Sequence, residues 1–192
     1  MFNKKFKCEE IMKGLSDMEK SCIEDKAKEV LEKYHKESGF VDVIEIAEKA
    51  GFIIFNALLD DIDDGFIIVS PKEMTLFEEV GTKFIAFNSD RNIEQKRFIL
   101  AHELGHYFLH YKDESVLYAM REHKKGKNEE EQDVDYFAAC LLMPKETFGN
   151  KVAELKQKNC SGREIIAVLK DFFGVEEVPV TRRIEELNLV VE

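Results

Sequence analysis

Residues 98–110 read FILAHELGHYFLH, with histidines four apart at His102, His106 and His110 and one acid, Glu103, directly after the first. Positions four apart lie on one face of an α-helix, so His102 and His106 can reach a single ion. A turn of ~3.6 residues rotates Glu103 about 100° from His102. It points near such an ion without sharing its direction, as a general base must. A Zn2+ ion held there lowers the pKa of a water from ~15.7 to about 7, and Glu103 can pass the proton to a leaving amine. The pattern H-E-x-x-H also arises by accident. Its position in mid-helix, after a strand, and the small Gly105, which lets a neighbour pack closely, favour a real metal site.

His110 continues the same stripe, but His102 and His110 are separated by ~12 Å of helix at ~1.5 Å per residue. Ligands at ~2.0–2.1 Å from one zinc ion cannot stand that far apart at the backbone unless the helix breaks. The longer pattern H-E-x-x-H-x-x-G-x-x-H is excluded, because its glycine and third histidine would fall on Leu109 and Lys112. His110 reads as a helix-end residue.

Upstream, GFIIFNALL (51–59), GFIIVS (65–70) and KFIAFNS (83–89) are short, rich in Phe, Ile and Val, and separated by polar stretches. They predict three strands of a small antiparallel sheet. DDIDDG (60–65) is a turn; it lacks the EF-hand loop pattern, so calcium is not expected. Helices are predicted over about 24–36 and within 41–51, the latter stopped by Gly51. Asn92 and Gln95 have capping-box spacing at the start of the HELGH helix, which should run to about Tyr111. Downstream, EEEQDVDYFAACLLMP (129–144) is a second strong helix stopped near Pro144, followed by helices near 145–158, 162–173 and 179–188. The order is helices, strands, helices: an α+β fold, with a three-stranded antiparallel sheet packed on a helical core.

The chain has 192 residues, 44% hydrophobic with 15 Phe, enough for a sizeable core, and a net charge of −11. That charge repels phosphate backbones and argues against direct nucleic-acid binding. Residues 161–192 have a helix-turn-helix look around Gly174 but hold four basic and seven acidic residues, so they read as a packing or docking tail. Cys8, Cys22, Cys140 and Cys160 form no CxxC pair and are expected to be reduced thiols of a cytoplasmic protein. The N-terminus has no apolar signal region, and no apolar run approaches the ~20 residues that span a bilayer.

The third ligand is sought on the second helix. Glu131 and Asp135 are four apart and face the same way. Glu131 can complete the metal site, with Glu130 and Asp133 as alternatives, and Asp135 can accept the ring N–H of a ligating histidine. Cys140 lies outside the plausible ligand turn. Tyr107, Tyr111, Tyr118 and His123 are candidate donors to an oxyanion.

HELGH preceded by KRFILA, with an acidic stretch running into DYFAACLLMP, resembles the ImmA/IrrE family of zinc metallopeptidases, gluzincin-like in using a glutamate as third ligand. The family pattern E-x-x-A-[ND]-x-F-A-x-x-L-L-M-P is matched from Glu131 to Pro144 except at Val134, where Ala is usual. The resemblance covers about residues 25–190. It implies His102, His106 and Glu131 as Zn2+ ligands, Glu103 as catalytic base and Asp135 behind a ligand. It also implies an N-terminal helical segment (1–40), a zincin-like catalytic domain (41–160) and a helical tail (161–192) packed on it. The expected function is an endopeptidase that cleaves a helix-turn-helix repressor of a mobile element or stress regulon. The alternative is a non-cleaving regulator that binds a repressor and keeps zinc structurally. Glu103 favours the enzyme, because a structural site needs no base. An extended substrate would pair with a strand edge, expected at KFIAFNS or GFIIVS.

Overall fold

The computed structural model describes residues 20–35, 39–59, 63–111, 117–123 and 129–191. The expected N-terminal segment and the 60–65 turn therefore lie partly outside the described residues, and KKGKN (124–128), whose residues are typical of a loop, lies wholly outside them. Helix α1 covers 20–34 and buries Ile23, Ala27 and Val30, one stripe at helical spacing. Helix α2 (Val43–Lys49) is capped by the Asp42 carboxylate, which accepts from Ile44 N and Glu45 N at 3.1 Å each. It ends before Gly51, whose φ of +89° suits a residue without Cβ.

The three predicted strands form as β1 (Ile53–Ala57), β2 (Asp63–Leu76) and β3 (Glu79–Asn88), but the expected three-stranded antiparallel sheet is corrected in two ways. The sheet is mixed and has four strands in the order β1-β3-β2-β4, with β4 at Tyr118–His123. β1 pairs parallel with β3, Ile53 opposite Phe84, while β2 runs antiparallel to both β3 and β4. Strand chemistry announces a strand but not its neighbour. β2 and β3 are joined by the tight turn at Phe77–Glu78, both at positive φ, whereas the longer β1–β2 connection lets β1 join the far edge of β3. β4 escapes sequence reading because YAMREH has little strand propensity of its own; pairing with β2 holds it. The expectation that β2 or β3 offers a free edge is overturned too: Phe84–Phe87 of β3 lies between β1 and β2, and Phe66–Val69 of β2 between β3 and β4. The outer strands among the described residues are β1 and β4.

Helix α3 (Ile93–Gly105) starts with the predicted capping box, Gln95 N donating to Asn92 Oδ1 at 2.8 Å and Asn92 N to Gln95 Oε1 at 3.2 Å. From Ile99 to Gly105 every residue is buried, because the sheet covers one side and α4 (Glu129–Leu142) the other. Buried Arg97 ties the helix to its surroundings, donating to the carbonyls of Val41, Phe173 and Gly174 at 2.9, 3.3 and 3.0 Å. Helices α5 (Lys145–Gln157), α6 (Gly162–Phe173) and α7 (Glu177–Glu186) follow. The last begins two residues earlier than expected, with Pro179 tolerated in its first turn. Arg183 of α7, 1% exposed, donates to Met143 O at 3.2 Å and lies 3.5 Å from Glu24, joining α7 to the end of α4 and to α1. No described helix is long and apolar enough to cross a membrane.

Candidate metal centre

After Gly105 the helix widens. His106–His110 is a π-helical segment, closed by Tyr111 N donating to His106 O at 3.2 Å, rather than the continuous α-helix expected. Such segments are frequent at functional sites. His102 and His106 still share a face, with ring centroids 4.9 Å apart and Nε2 atoms 3.2 Å apart.

Helix α4 crosses α3 at this point because Gly105 offers no side chain. A Cβ there would stand 3.0 Å from Val134 Cβ. Glu131, one turn before that contact, and Asp135, the residue directly after it, therefore reach the histidines. Glu131 Oε2 is 3.2 Å from His102 Nε2 and Oε1 is 3.7 Å from His106 Nε2. Ligand atoms of His102, His106 and Glu131 lie within 4.8 Å of one another. The other expected candidates do not join them: Glu130 is exposed, Asp133 stays outside the group, and the His110 ring centroid is 6.1 Å from that of His106. Cys140 is buried elsewhere on α4, its thiol pushed up to about 12 by burial.

The arrangement fits a cation. His102 Nδ1 stands 3.1 Å from Asp135 Oδ1. A neutral His102 that keeps its proton there turns the Nε2 lone pair inward, toward the second imidazole and the carboxylate. Donors at ~2.0–2.1 Å around a tetrahedral zinc ion stand ~3.3–3.4 Å apart, close to the spacings observed. Two imidazoles and one carboxylate are a catalytic zinc donor set, with a position left open. Burial, then the charge of His102, pulls His106 down to about 4, so its ring is neutral near pH 7, the form a metal requires. Without a metal, a proton on His102 Nε2 hydrogen-bonds Glu131 and holds its carboxyl below the usual range against the opposing effect of burial; a metal would take that proton's place. The oxygen Asp135 Oδ2 lies 3.7 Å from Arg182 of α7.

Glu103, next to His102 in sequence, is fully buried. It is roofed by β2 at Gly65, where a Cβ would stand 3.0 Å from Glu103 Oε1 and 2.9 Å from Ala86 O. In sequence Gly65 both ends the 60–65 turn and opens the strand GFIIVS, and a glycine opening a strand marks a close backbone approach. Of the four oxyanion candidates, Tyr107 accepts from Lys83 Nζ at 2.7 Å and packs on Phe52. The His123 side chain lies outside the described residues. Tyr111 packs between Tyr107 and Tyr118. Tyr118 on β4 is the one whose hydroxyl feels the site: burial, then the charges of Glu103, Glu130 and Glu131, push its pKa up to about 12.

A comparison with family models matches residues 50–185 to the IrrE N-terminal-like domain of the M78 peptidases. No curated protein matches the chain significantly.

Proposed function

The chain belongs to the IrrE N-terminal-like family of M78 peptidases, and on that premise we propose that it is a zinc-dependent endopeptidase whose substrate is a helix-turn-helix repressor. One observation carries the enzymatic reading: three converging ligand donors, with a buried carboxylate, Glu103, adjoining the first of them in sequence. His102, His106 and Glu131 would hold the zinc, and Asp135 would hold the His102 ring in the tautomer that presents Nε2. Zinc at this triad supplies Lewis acidity, polarising a carbonyl and acidifying water. Glu103, kept out of bulk water, takes a proton from the attacking water and returns it to the leaving amide nitrogen. The Tyr118 hydroxyl, still protonated at neutral pH, donates to the carbonyl oxygen as charge develops there.

The outer edge of β4, rather than β2 or β3, is the proposed strand on which an extended peptide pairs. The repressor substrate, and relief of repression as the outcome, rest on the family resemblance of HELGH and DYFAACLLMP.

The test is one comparison. Zinc is quantified in wild type and Glu103→Gln, and each is incubated with the repressor encoded nearest its gene. Zinc in both and cleavage by wild type alone is the expected result. Equal cleavage by the two proteins, or stoichiometric zinc without cleavage by either, would refute the peptidase reading for that substrate.

A further inference from the structure

A cavity of about 400 Å³ opens beside His102 and Asp135, within the ~300–1,000 Å³ common for ligand sites. Phe98, Ile99 and Pro179 give it an apolar wall, and Asp64, Glu94 and Glu176 stand around it with Arg91. The arginine is engaged locally, Nε donating to Asp64 Oδ1 at 2.6 Å. Glu176 is held in place without a counter-charge from its holders: Oε1 accepts from Asn92 Nδ2 at 3.0 Å and Gln95 Nε2 at 3.1 Å, both neutral amides. Glu94 lies in the first turn of α3. The positive ends of α3 and α7 thus already have anions beside them, and the cavity wall carries more carboxylates than cations.

We propose that this cavity is a substrate subsite for a long cationic side chain, arginine or lysine, close to the scissile bond. The aliphatic stem lies along Phe98, Ile99 and Pro179 while the head reaches Glu94 and Glu176, the usual division of such side chains between apolar wall and charge. Its role in cleavage rests on the peptidase reading above; capture of the cation does not.

The test separates the two. Ac-Ala-Arg-Ala-NH2 and the same peptide with norleucine are titrated into the metal-free full chain at low salt and followed by amide NMR. The arginine peptide should shift resonances of the first turns of α3 and α7. It should bind about two- to fivefold tighter than the norleucine peptide, the range one exposed ion pair provides, and lose that advantage in salt. Glu94→Gln combined with Glu176→Gln should abolish the difference, since glutamine keeps the oxygen that Asn92 and Gln95 donate to and removes only the charge. Equal binding of the two peptides, binding of neither, selectivity that survives the double substitution, or preference for Ac-Ala-Glu-Ala-NH2 would each overturn the proposal. A zinc-loaded digest of a random peptide library provides the second arm. Cuts with no basic residue at a fixed distance count against the subsite. Arginine-selective binding with no cuts at all counts against the peptidase reading and leaves the subsite standing.

Discussion

Gly105 on α3 and Val134 on α4 are in such close contact that a methyl group on the glycine would stand 3.0 Å from Val134 Cβ and 3.2 Å from Phe137 Cδ1. The residue before His106 thus meets the residue before Asp135, and their contact sets the separation of the two helices that bear the candidate site. Gly105→Ala gains up to ~1 kcal/mol of helix propensity but overpacks this contact at a cost of about 1–3 kcal/mol. The net expectation is lower stability and weaker zinc binding. Adding Val134→Ala should restore part of both. Denaturant unfolding and zinc titration of the single and double variants check this; a double variant no better than Gly105→Ala would contradict it.

Asp135 reaches the ring of His102 through Nδ1, 3.1 Å away, on the side opposite the converging donors. Its loss leaves the ligands in place but unoriented. Asp135→Ala should weaken zinc binding by about 10–100-fold while the metal-free protein still folds. Competition against a chromophoric chelator measures the affinity, and an unchanged value would show that His102 needs no such support.

The ligand set is tested by three truncations. Glu131→Ala should lose zinc, because among the described residues it is the α4 acid whose carboxylate groups with ligand atoms of both His102 and His106. Glu130→Ala and His110→Ala should retain it. Metal content after dialysis decides; loss of zinc in His110→Ala would mean that the π-helical segment brings a third histidine to the ion.

The pKa of His106 is about 4, below its ordinary 6.5, chiefly through burial. As pH falls, the unfolded metal-free chain takes up this proton before the folded one does. The contribution to stability is complete above pH 6.5 and drains, at up to ~1.4 kcal/mol per pH unit, as pH falls towards 4. The depressed Glu131 carboxyl adds loss of the same sign, beginning only below its ordinary 4.5. Unfolding free energies of metal-free wild type and His106→Gln at pH 7 and 4.5 should differ in pH slope, wild type being steeper; parallel slopes would rule out this source.

Tyr118 is the proposed donor to the developing oxyanion. Tyr118→Phe should lower kcat about 100-fold, with KM and zinc content near those of wild type. Steady-state kinetics on a cleaved peptide measure the split. A rise in KM alone would assign Tyr118 to substrate binding instead.

Much of this was legible in the sequence where the governing interaction is local. Asn92 and Gln95 cap α3 as their spacing requires, and Val30, Ile46 and Ala47 turn inward as their period predicts, whereas Ile44, expected in the same stripe, faces solvent and Val43 is buried instead. Less legible were features held by partners distant along the chain. β4 exists because β2 pairs with it, and Gly65 matters because Glu103 lies under it. The π-helical widening after Gly105 has no mark in a run, HYFLH, that an α-helix would also accept.

The sequence by itself determined the chemistry on offer: a histidine pair one turn apart, an acid between them, and an acidic helix downstream. Helical periodicity is a property of neighbouring residues, so it can be read without a fold. Only the tertiary structure decided which acid meets the histidines and which strands bound the site. Four carboxylates between Glu130 and Asp135 are nearly equivalent along the chain. They become distinct only when Val134 packs on Gly105 and turns Glu131 and Asp135 together toward His102.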